Sequence, residues 1–177
     1  MRYIIVLFII SLTGCGSVKI SDVNKVDDFS ISQYKTFNFF EIGAEGDAIG
    51  PNYRENVEYL KEAIVKEMGL KGLSVSNAEP ELLVNIAIVV SEEVQTRETS
   101  FSNPADRQYM GTRNYSWQSS EVAVGKYRQG SITVDLVDRK ANKMVWQGTA
   151  ESVIPNKEKN VPPLIENGMK KLFEKLE

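Results

Sequence analysis

Residues 82–90 carry the most restrictive pattern in this sequence. Every second position is apolar, at Leu82, Val84, Ile86, Ile88 and Val90. A period of two is that of a β-strand, whose successive side chains point to opposite faces of a sheet. The positions in between are only half polar, which is typical of a strand inside a sheet rather than at its edge. We therefore expect a central strand that is covered on one face and partly covered on the other.

Two further segments have the spacing of amphipathic helices. Apolar residues recur at steps of three and four over 53–68 and again over 162–176. Asn52 and Glu55 have the spacing of a capping box for the first helix. The stretch 43–51 contains three glycines, but its spacing fits no phosphate-binding motif, so we expect a loop there.

The remaining periodic segments predict strands. A first strand is indicated within 18–26 and a second within 34–40, where aromatic and polar residues alternate. Residues 132–136 and 144–150 predict a hairpin across a polar turn. This order of elements predicts an α+β fold, with a mostly antiparallel sheet of about five to six strands and two helices packed on one face.

The first fifteen residues have the pattern of a bacterial lipoprotein leader. Arg2 precedes an apolar run that ends at Leu12 and would be about 15 Å long as a helix, too short to span a hydrocarbon core of about 30 Å. Leu12-Thr13-Gly14-Cys15 resembles the lipobox, at which the peptide is cleaved between Gly14 and Cys15 and Cys15 is lipidated. We therefore expect a leader at 1–14, a lipidated N-terminus with a short tether at 15–17, and a single α+β domain at 18–177.

The same pattern predicts where the protein lies. The covalent lipid on Cys15 would anchor it to a membrane without a transmembrane helix. No aspartate follows Cys15, and such an aspartate resembles the retention signal of inner-membrane lipoproteins. The expected location is therefore the outer membrane of the cell envelope, facing the periplasm.

Composition weighs against catalysis and against nucleic acid. The chain has no histidine, which removes Ser-His-Asp and Cys-His nucleophile pairs and histidine-ligated zinc. Its single cysteine is Cys15, which the lipid would occupy. The net charge of −3 is not that of a nucleic-acid-binding protein. We predict a noncatalytic protein with no catalytic residues, no metal and no cofactor beyond the covalent lipid.

The longest stretch without a clear period, 97–120, contains the candidate binding residues. Aromatic residues and arginines are enriched at interface hot spots, and both can also stack on glycan rings. The hypothesis is a binding or adaptor module for an envelope protein or a cell-wall partner, and the alternative is an irregular structural hairpin. The candidate residues are Phe101, Arg107, Tyr109, Arg113, Tyr115 and Trp117.

Two other interpretations stay open. Trp146 is in phase with Gly148 and Ala150, so it is either a core residue or the floor of a pocket for a small apolar or lipid ligand carried between sheet and helices. Asp135 and Asp138 form the best carboxylate pair and could serve a glycan hydrolase. Their structural alternatives are a solvent-facing position for Asp135 and a turn cap for Asp138.

Two motifs near the end of the chain are the most specific in the sequence. They are Gly130-Ser131-Ile132-Thr133-Val134-Asp135-Leu136-Val137-Asp138 and Val145-Trp146-Gln147-Gly148-Thr149-Ala150. With them, the chain resembles a family of small bacterial envelope lipoproteins whose single domain is of unknown function. The resemblance covers most of residues 18–177 and implies an α+β envelope lipoprotein with no catalytic residues to carry over. Family members commonly have aspartate where this chain has Glu81.

Overall fold

The computed structural model describes residues 17–46, 51–98 and 121–176. Within them, two short 3-10 turns lie at Ile31–Gln33 and Glu158–Asn160. The strands and helices are, in chain order, β1 (Lys19–Lys25), β2 (Thr36–Gly46), α1 (Tyr53–Leu70), β3 (Ser74–Val75), β4 (Leu82–Glu98), β5 (Glu121–Asp138), β6 (Lys143–Val153) and α2 (Val161–Phe173).

These strands form one mixed sheet in the order β1-β6-β5-β4-β2-β3. In the row β1-β6-β5-β4, each strand pairs antiparallel with the next. Strand β2 pairs parallel with both of its neighbours, β4 and β3. The predicted α+β class with two helices is confirmed, but the prediction of a mostly antiparallel sheet is only approximately right. The reason is that α1 returns the chain across the sheet, which allows β2 and β4 to run in the same direction.

The loop predicted over 43–51 is wrong for its first four residues. Residues 43–46 continue β2 and pair with residues 87–90 of β4. The register shifts between Phe39 and Ile42, and both of these side chains pack against the core. The backbone N–H and C=O groups of β4 form hydrogen bonds with residues 43–46, and these bonds outweigh the low strand preference of Gly43 and Gly46. The other part of the predicted loop includes residues 47–50, which lie outside the described part of the chain.

Helix α1 begins at the predicted position without the predicted capping box. Asn52 makes no side-chain hydrogen bond to the helix, and the Glu55 carboxylate accepts a hydrogen bond from the Tyr59 hydroxyl (2.8 Å) instead. The helix ends at Leu70, and the predicted terminating glycine is Gly72, two residues further on. Gly72 has a φ of 89°, the left-handed conformation that terminates helices, and the Leu73 N–H then donates to the Met68 carbonyl (3.0 Å).

Both helices cover the same face of the sheet, and the core lies between the layers. Trp146 is only 1% exposed, and its ring centroid is 6.0 Å from that of Phe173. The buried cluster combines residues of both helices with alternate residues of β4, β5 and β6. Other fully buried side chains in this layer include Phe37, Leu60, Ile64, Met68, Leu136 and Leu172.

The packing at Gly148 gives a direct test of this arrangement. A Cβ atom there would lie 2.8 Å from Leu172 Cδ1 and 2.8 Å from Trp146 Cη2, which is closer than atoms can approach. We expect Gly148→Ala to lower the free energy of unfolding by about 1–3 kcal/mol, since overpacking displaces close-packed neighbours. The measurement is urea unfolding of a soluble form that begins at Ser17.

Gly43→Ala is the matched control for this prediction. Gly43 also lies in a strand of the sheet, but a Cβ atom there would meet nothing within 4 Å. The added methyl should leave stability unchanged or raise it slightly, by up to about 1 kcal/mol, because alanine has less backbone freedom than glycine to lose on folding. Equal effects of the two substitutions would contradict the packing described at Gly148.

Candidate binding groove and projecting ribbon

A groove of about 360 Å³ opens between the two helices and the sheet. It lies beside the first half of α1 and the first nine residues of α2, above the middle of β4 and β5 and the end of β6. Its volume is within the range of about 300–1,000 Å³ that is usual for small-molecule sites. The apolar part of its lining includes Val18, Val57, Ile88, Ile132, Leu164 and Ile165.

Small residues of three elements lie along the groove. Gly130 of β5, Ala150 of β6 and Gly168 of α2 all line it. A Cβ atom on Gly168 would have Val18 Cγ1 as its nearest neighbour, at 4.0 Å. Around Trp146, in contrast, the same layers are in close contact. The two layers are therefore filled at one end of the sheet and open at the other.

Charged and polar side chains form the rim of the groove. Arg128 and Lys159 contribute positive charges, and Glu55 and Glu158 contribute negative charges. An apolar floor with a charged rim suits a ligand that has a long apolar body and a polar end.

The described chain starts beside this groove. The Ser152 hydroxyl donates a hydrogen bond to the Ser17 carbonyl (3.4 Å), and Val18, the next residue, lines the groove. Lys19 then pairs with Glu151 at the start of β1. The chain therefore enters the domain at the end where the helices begin.

A two-stranded ribbon projects from the same end of the sheet. The last pairing of β2 with β4 is at Val90, and the last pairing of β6 with β5 is at Gln129. Beyond these points, residues 91–98 and 121–127 pair only with each other within the described part of the chain, and the Ile154 N–H still donates to the Arg128 carbonyl (2.8 Å). The projecting segment comprises residues 91–98 and 121–128. Eight residues per strand extend about 26 Å at the rise of a β-strand. We call this segment the ribbon.

Side chains on the ribbon are largely exposed. Val94 is 53% exposed and Val124 is 49% exposed, which is unusual for apolar residues in a sheet. Glu92 and Lys126 form an ion pair across the strands (2.5 Å). An exposed pair of this kind adds little stability, and isolated two-stranded ribbons are only marginally stable in water. Among the described residues, the ribbon therefore has little to stabilise it except its own ladder of backbone hydrogen bonds.

Most of the predicted site residues lie outside the described part of the chain. These are the cleavage and lipidation residues Gly14 and Cys15 and the six candidate binding residues between Phe101 and Trp117, and all of them stay predictions. The described strands do fix where the candidate segment is attached. Glu98 and Glu121 pair at the free end of the ribbon, so residues 99–120 begin and end there.

Trp146 lies in the filled half of the molecule. It is buried against Phe173 and is not among the residues that line the groove. Its indole Nε1–H is buried without a hydrogen-bond partner among the described residues. The pocket between sheet and helices is thus built by other residues than the one the sequence singled out.

Asp135 and Asp138 are each engaged in separate structural hydrogen bonds. The Gln147 side chain donates to Asp135 Oδ1 (2.8 Å) across the β5–β6 pairing. The Ala141 N–H donates to Asp138 Oδ1 (2.7 Å) in the turn after β5, and the Tyr34 hydroxyl donates to Asp138 Oδ2 (2.9 Å). Asp138 therefore caps the turn, as its structural alternative predicted. Asp135, for which that alternative was a solvent-facing position, is half-buried and holds β6 through Gln147.

The Tyr34–Asp138 contact changes the acidity of both groups. Burial and the hydrogen bond to Asp138 raise the pKa of Tyr34 from 10.0 to about 12. The Ala141 N–H, helped by the Tyr34 hydroxyl, holds the pKa of Asp138 below its usual value. The fold therefore favours a neutral tyrosine beside an ionised aspartate.

Within residues 17–46, 51–98 and 121–176, no three acidic or cysteine side chains come close enough together to hold a metal ion. Neither helix in this part of the chain combines the length and the apolarity needed to cross a bilayer.

The family model for Domain of unknown function (DUF4136) matches residues 20–176. The chain belongs to this family. The resemblance to a family of unknown function is thereby confirmed at that level, whereas the specific motifs and the lipoprotein character stay predictions. Among curated proteins, none matches this DUF4136 chain.

Several solved structures resemble this DUF4136 domain at a distance. A PDZ domain protein from Parabacteroides distasonis matches with a TM-score of 0.49 and 14% identity over 89% of this chain, which spans 37% of that longer protein. A PelC dodecamer from Paraburkholderia phytofirmans matches with a TM-score of 0.45 and 10% identity, over 91% of this chain and 96% of that one. A minor lipoprotein from Acinetobacter baumannii has a TM-score of 0.39 and 10% identity, over 81% and 90%. At these values no function is carried over.

Removing the Tyr34 hydroxyl should change how stability depends on pH. Because the pKa of Tyr34 is about 12 in the folded protein and near 10 in the unfolded chain, its contribution is complete below pH 10 and is lost as the pH rises through 12. Tyr34→Phe should therefore cost about 1 kcal/mol at pH 8, a value kept low by solvent screening, and should lessen the fall in stability between pH 10 and 12. Urea unfolding across this pH range measures both effects.

Tyr59→Phe serves as the control. The Tyr59 hydroxyl also donates to a carboxylate, that of Glu55, but at an exposed helix surface. Its removal should change the alkaline limb of the stability curve less than Tyr34→Phe does. An unchanged alkaline limb in Tyr34→Phe would contradict the linkage to Asp138.

Proposed function

We propose that this protein is a noncatalytic lipoprotein of the bacterial cell envelope, anchored through Cys15 at the periplasmic face of the outer membrane, that binds another envelope protein with its ribbon. The lipobox pattern at residues 12–15 supports the anchor. The single observation that carries the binding role is the ribbon itself, in which β4 and β5 extend beyond the described residues of their neighbours in the sheet.

The shape of the ribbon favours a binding role over a purely structural one. A segment that buries little gains little stability from its own fold, so its length is not explained by the core. Exposed edges of β-strands present unpaired N–H and C=O groups that another strand can complete. The ribbon has such an edge on β4 and on β5 over residues 91–98 and 121–127, within the described part of the chain.

The partner that fits this surface is a protein that supplies an extended strand. Addition of a strand obtains affinity from main-chain hydrogen bonds and specificity from side chains on alternate positions. Val94 and Val124 offer exposed apolar contacts on the ribbon, and Glu92 and Lys126 offer charges. The six candidate residues between Phe101 and Trp117 lie in the segment that starts and ends at the free end of the ribbon, where they would extend the same surface.

A second candidate function is carriage of an apolar or lipid ligand. The observation that favours it is the groove, whose apolar floor includes Ile132 and Leu164. The groove and the ribbon occupy neighbouring parts of the molecule, and one function does not exclude the other.

A shortened ribbon should lose the partner and keep the fold. Val94 and Lys126 are paired, so residues 95–125 can be replaced by Asn-Gly, which closes two-residue hairpins. We expect crosslinking in intact cells to recover a partner protein with the full chain and not with the shortened one. The urea midpoint of the shortened soluble form should be nearly unchanged, because the removed part is exposed where the structure describes it.

Substitution of loop residues separates the ribbon from the segment at its end. A chain with Tyr109→Ala, Arg113→Ala and Trp117→Ala keeps the ribbon, so partner recovery that survives these changes assigns binding to the ribbon strands. Loss of recovery assigns it to residues 99–120. Undiminished recovery with the shortened ribbon would show that binding occurs elsewhere on the protein.

A further inference from the structure

We propose that the groove holds a fatty acyl chain of the protein's own lipid anchor when the mature protein is outside a bilayer. This inference rests on the proposed lipidation of Cys15 and adds a ligand site that the binding role of the ribbon does not require. The occupant is thus a part of this same molecule that lies just before the described residues.

The place where the chain enters the domain supports this occupant. Val18 lines the groove, and the Ser17 carbonyl is held by the Ser152 hydroxyl at its side. Cys15 is three residues before Val18, so the two Cα atoms are at most about 11 Å apart. A lipid on Cys15 would therefore start within about 11 Å of a residue that lines the groove, a distance that an extended acyl chain exceeds.

The chemistry of the groove also fits an acyl chain. The floor beside Ile88, Ile132 and Leu164 offers an apolar surface, and Gly168 leaves open space above it. The charges at the rim, such as Arg128 and Glu55, would stay in water next to the polar glyceryl end of the anchor. An acyl chain requires no hydrogen bond from the floor.

The tether favours the protein's own lipid over a free one. A ligand attached through three residues has an effective concentration far above that of free fatty acids or phospholipids in an aqueous compartment. Exposure of an acyl chain to water is unfavourable in proportion to its methylene groups. In a bilayer the acyl chain is already surrounded by an apolar solvent. The groove then offers it no gain in free energy, and the anchor inserts in the membrane.

A photocrosslink within the lipidated protein tests this directly. Benzoylphenylalanine in place of Leu164 puts a photoreactive group at the groove, in the tryptic peptide of residues 160–170. The full chain is processed in bacteria, purified in mild detergent, freed of detergent and irradiated. We expect a product that joins this peptide through an acyl chain to the tryptic lipopeptide of residues 15–19, formed within one molecule. In bilayer vesicles the same product should decrease.

Filling the groove gives a second, independent readout. Gly168→Leu places a side chain in the groove without a clash at Cβ, and leucine is a better helix former than glycine. After detergent removal, the lipidated Gly168→Leu protein should aggregate, because its anchor has lost its cover, whereas the unlipidated Cys15→Ala form of the same variant should stay monomeric. Gly69→Leu in α1 is the matched control, since it lies in a helix away from the groove and should leave the lipidated protein soluble.

Any other result of these two experiments overturns the proposal, and each one shows which part of it is wrong. A peptide 160–170 crosslinked to phospholipid or free fatty acid would assign the groove to carriage of free lipid. A crosslink to a second copy or to another protein would make it a protein interface. A peptide 15–19 without lipid would show that Cys15 is not an anchor, which removes the proposed lipoprotein identity as well. Lipidated Gly168→Leu that remains as soluble as Gly69→Leu would exclude the groove as the cover of the anchor.

Discussion

The parallel pairing of β2 with β4 fixes the direction of α1 and with it the layout of the whole molecule. Two consecutive parallel strands require a crossover, so α1 runs back along the sheet and begins at the end where β2 and β4 finish. Helix α2 follows β6 and packs its last turn, with Leu172 and Phe173, beside Gly148 and Trp146 near the start of that strand. Both helices therefore begin at the same end of the sheet, which is also the end where the ribbon projects.

The distribution of side-chain size along this axis separates stability from binding. Near Trp146 the layers are so close that Gly148 has no room for a Cβ atom, whereas near Gly168 the layers leave a groove of about 360 Å³. A molecule that needed only stability would fill this space with larger side chains, since a buried cavity is unfavourable. An acyl chain in the groove would recover about 0.8 kcal/mol per methylene that it removes from water. A ligand would thus stabilise the folded state most if it bound in the open half.

Periodicity predicted the helices, the central strand and the β5–β6 hairpin, because each of these patterns arises from one covered face. It could not predict the direction in which β2 pairs, since an alternating strand has the same sequence pattern in either direction. It also missed the ribbon, where residues 91–98 lie beyond the sheet and have no buried face to leave a pattern. Of the two alternatives for Trp146, the structure has the buried core residue, and Trp146 does not line the groove. Gly168 was the available signal for the groove, but the free space beside it is visible only once the facing elements are known.

Anchoring through Cys15 would have a geometric consequence for the ribbon. The tether before Val18 reaches at most about 11 Å, whereas the ribbon extends about 26 Å from the same end of the domain. The ribbon therefore cannot point straight at the membrane without entering it, and charged side chains such as Glu92 and Lys126 oppose entry into hydrocarbon. With the anchor inserted, the domain must therefore be oriented so that the ribbon points along the membrane surface or away from it. In either case the edges of the ribbon stay in water, where a partner strand can reach them.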